Sequence, residues 1–468
     1  MLLRSAHPVI YFVILVVAIL AAYNACSLTE NMDEYGYYLN TVKWIENYKT
    51  LPGTGLFNGR ISINSSWHMS SAIFGYDFLY EGGAYDLNGL ILCFMYLLSC
   101  GSAYRIYKKR SVSYASDMLL LAAMVFPFYS LVNSMDADYP TIFLGIFLIS
   151  RIVRKIEHSR FLELDAEFYS YTLIALFLFT IKPFSGVYLI YPFIVALYHC
   201  RLKQRKPLVV LSIVSLLYII PWMYRNYLLS GYLIYPIHFI DLFDVDWKLP
   251  IEYVSNTYLV ISEFAKIELI RSDYVYTGVS NVSIMDWFPI WFHNNWELLI
   301  GKLLIIALPI TTLSFIVDAL RNNKLQFYYL KLGLLFVITF WFINFPAIRF
   351  GWAFVLAFLV LSGIDIIDRL KINRRYVFYV LLGAIVFSLS RNLYKISTHK
   401  TAINSLVYPE RTPELTDYNS VTTNLTYNKS KTEYCYGKIP CVPVHNPWTI
   451  YLRKDDISDG FTLDTIYQ

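Results

Sequence analysis

The sequence predicts an all-α polytopic membrane protein with about 11 transmembrane helices. Three observations carry that prediction. Of the 468 residues, 57% are hydrophobic and only 16% are charged, where an ordinary soluble domain carries about a quarter. The apolar residues are gathered into blocks of about 15 to 23 residues, long enough to cross a bilayer at about 1.5 Å per residue. Lys and Arg crowd into short connectors between blocks and thin out in the long ones.

Taken in order, the blocks begin with 8–27. Residues 1–27 resemble a signal peptide, but the apolar run is long and no A-x-A-like cleavage site follows, so an uncleaved first span is expected. Blocks 86–104, 114–133 and 138–152 come next. The stretch 168–200 contains Lys182 and Pro183. As one helix it would be about 50 Å long, against a hydrocarbon core of about 30 Å. Two short spans, 168–182 and 184–200, meeting at "IKPFSG" are therefore expected. The rest are 207–224, 298–320, 327–345, 351–369 and 375–391.

Charge sets the expected orientation. Connectors 105–110, 151–160, 201–206, 321–324 and 369–375 hold 18 basic residues in 33 positions. The long connectors 28–85 and 225–296 hold seven in 130. With 11 spans the five basic connectors share one side. The expectation is a cytoplasmic N-terminus, a transmembrane domain over 1–391, and an extracytoplasmic, β-rich or irregular C-terminal region over 392–468. Cys435 and Cys441, in "YCYGKIPCVP", then face an oxidising compartment that favours a disulfide over two free thiols. Cys26, Cys93, Cys100 and Cys200 lie in or beside apolar blocks, where thiols are usually inert packing. The net charge of +5 gives no pointer to nucleic acid.

The chemistry is expected outside the membrane. "ENMDEYGYYL", residues 30–39, puts Glu30, Asp33 and Glu34 just after the first span. It leads into an apolar stripe of Tyr38, Val42, Ile45 and Tyr48, with Trp44 adjacent, that reads as a helix lying along the membrane surface. Asp33 and Glu34 either cap that helix or supply a general base. Residues 51–75 are rich in Gly, Asn, Ser and Trp and carry Arg60, Asn64, Trp67 and His68, a set suited to a hydroxyl-rich ligand, with Trp67 stacking on a sugar face. "NSMDADYP" adds Asp136 and Asp138, either solvating a turn or forming a second acidic pair that binds a cation or positions a substrate. Lys182, Arg225 and Arg349 sit at outer span ends, where they either snorkel or grip phosphate. Such acids and cations suit transfer of a sugar from a lipid-linked phosphate, with inversion at the anomeric carbon.

The overall plan resembles the GT-C type integral-membrane glycosyltransferases. It has many spans, an acid in the first external loop, an interfacial helix and an external tail. More narrowly, "DEYGYYLNTVKWIENYKTLPGTGLFNGRISINSSW", "RNYLLSGYLIYP" with "DWKLP", "IRFGW" and "YCYGKIPCVP" look like a family of uncharacterised bacterial membrane proteins. The resemblance implies a bacterial cytoplasmic (inner) membrane enzyme that uses a polyprenyl-phosphate sugar donor and a glycan or lipid acceptor. It maps Asp33 or Glu34 onto the first-loop base and Asp136 and Asp138 onto a second acidic motif. Some GT-C members use a divalent cation and others do not; no tight His/Cys ligand set is present, so the metal stays unknown. The rival readings are a transporter or flippase, and a polymerase or ligase of cell-envelope polysaccharide. Neither an internal hydropathy repeat nor mid-membrane charge favours the transporter.

Overall fold

A computed structural model describes residues 8–25, 27, 29, 31–75, 85–267, 283–319, 325–398, 418–432, 434, 435 and 439–463. Every apolar block is at least partly helical. The helices are α1 (Pro8–Ala25), α2 (Leu39–Asn47), α3 (Ser66–Ile73), α4 (Leu87–Tyr107), α5 (Tyr114–Ala123), α6 (Asp138–Glu157), α7 (Ala166–Ile181), α8 (Ile190–Arg201), α9 (Arg205–Ser230), α10 (Ile251–Ile267), α11 (Ile284–Glu297), α12 (Leu299–Ala319), α13 (Leu325–Asn344), α14 (Ile348–Arg369) and α15 (Arg374–Thr398).

The chain is thus a mostly helical protein of membrane type, but the expected 11 spans are not what the helices give. Among the described residues six segments are long and apolar enough to cross: Leu87–Tyr107, Pro183–Arg201, Arg205–Ser230, Phe327–Asn344, Ile348–Arg369 and Arg374–Lys395. The pair α11 and α12, bent by 115°, makes a seventh if counted as one span. The other blocks fall short for physical reasons. Helix α5 has ten residues, about 15 Å. The chain leaves the helix before "FPF", where Pro127 disfavours helical backbone at Phe126 and Phe128 takes a left-handed φ of 49°. Helix α7 has 16 residues; α6 carries Asp138, Arg151, Arg154, Lys155 and Glu157. The break at Pro183 matches the expected split: Lys182 is extended, and a 3-10 turn, Pro183–Leu189, leads into α8.

Burial sorts the helices. Nine of the ten residues of α5, Ala115 to Ala123, are buried, so this helix sits inside the bundle and meets no lipid; an all-round apolar surface is what an enclosed helix needs. Helix α14 packs against α5, α6, α12 and α13. A Cβ on Gly351 would lie 2.3 Å from the Trp341 ring, so only glycine lets α13 and α14 approach this closely. Helices α9 and α15 are peripheral, with Leu217 and Phe387 among their exposed side chains.

The first loop and the tail fold together. Strands β1 (Tyr418–Thr422) and β2 (Thr426–Ser430) pair antiparallel, and β2 pairs parallel with β3 (Cys441–Val442). Strand β4 (Ile450–Leu452) pairs antiparallel with β5 (Phe461–Leu463). Phe461 N donates to Pro52 O at 2.9 Å, and the Phe461 ring lies 4.7 Å from Phe57 and 5.8 Å from Trp44. Asn446 Nδ2 donates to the carbonyls of Leu56 and Phe57. These contacts correct one expectation. Helix α2 does not lie on a membrane surface: Tyr38, Leu39 and Val42 are buried against Tyr85 and Met135, and Trp44 is buried against the tail. Cys435 and Cys441 form the expected disulfide.

The four described basic connectors converge at the far end of the bundle. Ala115 N donates to Glu157 Oε1, Ser113 meets His158, Arg374 lies over the Tyr114 ring, and His199 Nε2 meets Leu162 O. Connector 321–324 lies outside the described residues, as does Glu30.

Candidate functional site

The acids of the first loop are separated by a change in helix type. Asp33 precedes a π-helical turn, Glu34–Tyr38, which passes into α2. Such widened turns recur at functional sites. Here the turn sends the two neighbours different ways. Glu34 points inward, with Ser134 Oγ donating to its Oε2 at 2.7 Å and Met135 N donating to the same oxygen at 2.8 Å. Asp33 points outward, its side chain 41% exposed, with Arg60 Nη1 3.3 Å from Oδ1.

Glu34 therefore pins the first loop to the turn that carries the second acidic pair. Asn31 ties the same two segments, Nδ2 donating to Ser134 Oγ at 3.1 Å and to Asp136 Oδ2 at 3.0 Å. From beneath, Asn88 Nδ2 at the start of α4 donates to the carbonyls of Leu131, Ser134 and Asp136. Asp136 and Asp138 are both buried. Asp136 Oδ1 accepts from Asp138 N at 2.6 Å. Asp138 pairs with Lys182 through Oδ1 and with Arg349 Nε through Oδ2 at 3.1 Å. Both cations also lie over the Phe350 ring, at 4.6 and 5.4 Å. The cluster is built at helix ends, from the first turns of α4, α6 and α14 and the residue after α7.

The electrostatics follow from this packing. Burial, with the neighbouring Asp138 carboxylate, pushes Asp136 up from 3.8 to about 6, since both effects oppose a second buried charge. Tyr37 and Tyr38 are raised well above 10, chiefly by burial, with Asp33 adding to Tyr37 and Asp136 to Tyr38. Lys182 and Arg349 set two positive charges against Asp138 and, above about pH 6, against the ionised Asp136 as well.

A second group adjoins the first. Arg225 donates to Asn64 Oδ1 and to Thr50 Oγ1 at 3.3 Å. Asn64, itself left-handed with φ 51°, exchanges hydrogen bonds with Trp222, Nδ2 to Trp222 O at 3.0 Å and Trp222 Nε1 to Asn64 O at 2.9 Å. His68 lies between the groups, its ring 4.7 Å from Tyr38. Burial, reinforced by Arg225 and Lys182, lowers His68 to about 3, so its imidazole is neutral at ordinary pH. His68 Nε2 has no hydrogen-bond partner among the described residues.

Residues 2–356 match the model of the family described as "Domain of unknown function (DUF8201)". The chain belongs to that family. No curated protein matches the chain, and no solved structure does. The family match takes in every member of the cluster from Asn31 to Arg349, while the disulfide and the strands of the tail lie beyond it.

The structure thus brings Asp33, Glu34, Asp136, Asp138, Lys182 and Arg349 into one network and sets Arg60, Asn64, His68 and Arg225 beside it. Trp67 departs from expectation: it is buried, with Phe177 as a ring neighbour at 6.3 Å, so it packs the bundle and offers no open face to a sugar. Sequence reasoning missed Asn31, Ser134 and Asn88, neutral residues whose spacing carries no periodic signal. All four carboxylate oxygens of Asp136 and Asp138 already meet Asn31, a backbone N–H, Lys182 or Arg349, so a divalent cation at this turn would have to displace one of those partners.

Proposed function

We propose that the chain is a membrane glycosyltransferase. It moves a sugar from a polyprenyl-phosphate-linked donor to a glycan or lipid acceptor on the extracytoplasmic face of a bacterial cytoplasmic membrane, on a GT-C-like plan. The observation that carries this reading is the meeting of two acidic turns with two cations at one end of the bundle, away from the basic connectors. A carrier's coupling charges belong nearer the midplane.

The roles divide by exposure. Asp33 is the general base, because water and an acceptor hydroxyl reach it. Glu34 is a positioning residue, spent on holding residues 134 and 135. In the reaction the acceptor O–H gives its proton to the Asp33 carboxylate as its oxygen bonds the anomeric carbon. The bond from that carbon to the phosphate oxygen breaks, and the phosphate leaves with the electron pair. Lys182 and Arg349 take up its charge, so it leaves without a proton. Arg225 and neutral His68 line the approach from the side of the 51–75 loop.

The test is sugar transfer by the purified chain in nanodiscs, using a radiolabelled polyprenyl-phosphate sugar. Asp33→Asn is expected to lower turnover by about 100-fold or more, the usual worth of a positioned base, with its thermal unfolding unchanged. Full turnover by this variant removes the assignment.

A further inference from the structure

Four connectors at the far end of the bundle turn in the same way. Helices α4, α6, α8 and α14 each give way to a left-handed residue, and none of the four is glycine: Lys109 (φ 54°), Ser159 (φ 58°), Lys203 (φ 57°) and Lys371 (φ 52°). Each turn closes with the same pair of bonds. The N–H of the left-handed residue reaches the carbonyl three residues back, as from Lys109 to Ile106 at 3.0 Å and from Lys203 to Cys200 at 2.9 Å. The next N–H reaches five back, as from Arg110 to Arg105 at 2.8 Å and from Ile372 to Ile367 at 3.0 Å. This is the Schellman cap, whose left-handed position usually falls to glycine because a Cβ there crowds the following carbonyl.

Three of the four positions carry lysine, which has no short polar group to bond its own backbone and so offset that crowding. The helix dipole does not call for these cations. Arg105, Arg201 and Arg369 already stand in the last turns of α4, α8 and α14, where the dipole acts. Lys109, Lys203 and Lys371 are exposed, and none has an ion-pair partner among the described residues. The connectors abut one another through Arg374 and Tyr114, Ser113 and His158, and Leu162 and His199. The caps thus form one basic edge.

The same edge is also apolar. Tyr107, Val112, Leu202, Leu370 and Tyr376 are between 50% and 70% exposed. A soluble acidic partner would satisfy the lysines and leave these side chains in water. Anionic headgroups over hydrocarbon take both, with ammonium groups on the phosphates and apolar side chains beneath. Depth agrees. Helices α4 and α14 have 21 and 22 residues, about 32 and 33 Å, close to a hydrocarbon core of about 30 Å. If they cross the membrane, their caps emerge among headgroups.

We propose that this edge is a binding site for anionic phospholipids, with Lys109, Lys203 and Lys371 held in left-handed turns to meet one lipid phosphate each. The proposal does not rest on the glycosyl-transfer reading, and it holds for whichever leaflet the edge faces.

The experiment takes the full chain in a neutral detergent and titrates it with phosphatidylglycerol or phosphatidylcholine under native mass spectrometry. Three phosphatidylglycerol molecules are expected to bind about fivefold more tightly than phosphatidylcholine, the factor that one lysine beside an anionic headgroup supplies. Combined Lys109→Gly, Lys203→Gly and Lys371→Gly should abolish that preference while raising the thermal midpoint in detergent by about 2–4 °C, as the left-handed crowding is relieved. A merely structural role for the lysines would lower the midpoint together with binding. The matching triple Lys→Arg variant should keep the preference. If the glycine variant does not insert, Lys203→Asn alone should remove one of the three preferred lipids, since asparagine tolerates the left-handed turn without the charge. Equal affinity for the two lipids in the parent chain, or an undiminished preference in the glycine variant, overturns the proposal. So does displacement of the bound phosphatidylglycerol by poly-glutamate at physiological salt, which would assign the edge to a soluble acidic partner.

Discussion

At the scale of single residues, Asp33 and Glu34 show how one peptide bond separates two roles. Glu34 holds buried partners, and Glu34→Ala would leave Ser134 Oγ and Met135 N without their acceptor. We expect a loss of about 2–4 kcal/mol in stability from those unmet donors, read as a lowered midpoint in denaturant. Asp33→Asn, by contrast, should cost turnover and little stability, because that carboxylate is half in solvent and its pairing with Arg60 is a surface one. Asp136 predicts a pH dependence. Its folded value of about 6 lies above the ordinary 3.8, so the folded state holds the proton more tightly. Its contribution favours the fold at low pH and is lost as the pH rises from 3.8 through about 6. If the ionised turn is needed to orient the cations, kcat/KM should show an acid limb near pH 6 that Asp136→Asn removes; an unchanged limb in that variant refutes the link. The acids and cations were readable in the sequence because charge next to apolar blocks is conspicuous. Asn31, Ser134 and Asn88 were not, since a neutral residue that binds a backbone carbonyl looks like any other loop residue.

At the scale of elements, the break at Pro183 was legible, since proline lacks the N–H and fixes its own φ. The enclosure of α5 was not. An apolar run such as 114–123 reads the same whether lipid or protein surrounds it, and only the packing of α4, α6 and α14 around it decides. The same ambiguity hid α2, whose stripe meets the tail and Met135 where a membrane surface was expected. The tail is seated by a reciprocal close approach. Gly53, at φ 76°, would place a Cβ 2.4 Å from Phe461 O; Gly460, at φ 90°, would place one 2.4 Å from Pro52 O. Gly53→Ala and Gly460→Ala should each cost about 1–3 kcal/mol of backbone strain and loosen β5 from the first loop. Limited proteolysis that releases a tail fragment from either variant, and not from the parent chain, would show this; equal resistance would refute it.

At the scale of the whole molecule, the helices place the acidic turns, the first loop and the described part of the tail at one end, with the four described basic connectors at the other. The charge count in the sequence anticipated that polarity, while the number of crossing helices depended on lengths that composition does not fix. The account predicts which end faces outward. A membrane-impermeant thiol reagent on intact cells should label Ser458→Cys and spare Lys109→Cys; the opposite pattern would invert the topology. The most direct test of the central claim is a cryo-EM structure of the full chain in nanodiscs with a polyprenyl-phosphate sugar bound. The account predicts the phosphate within about 4 Å of Lys182 and Arg349, the usual reach of an ion pair, with the anomeric carbon turned toward Asp33. A sugar held in a midplane cavity between the helices, remote from both cations and from Asp33, would contradict it.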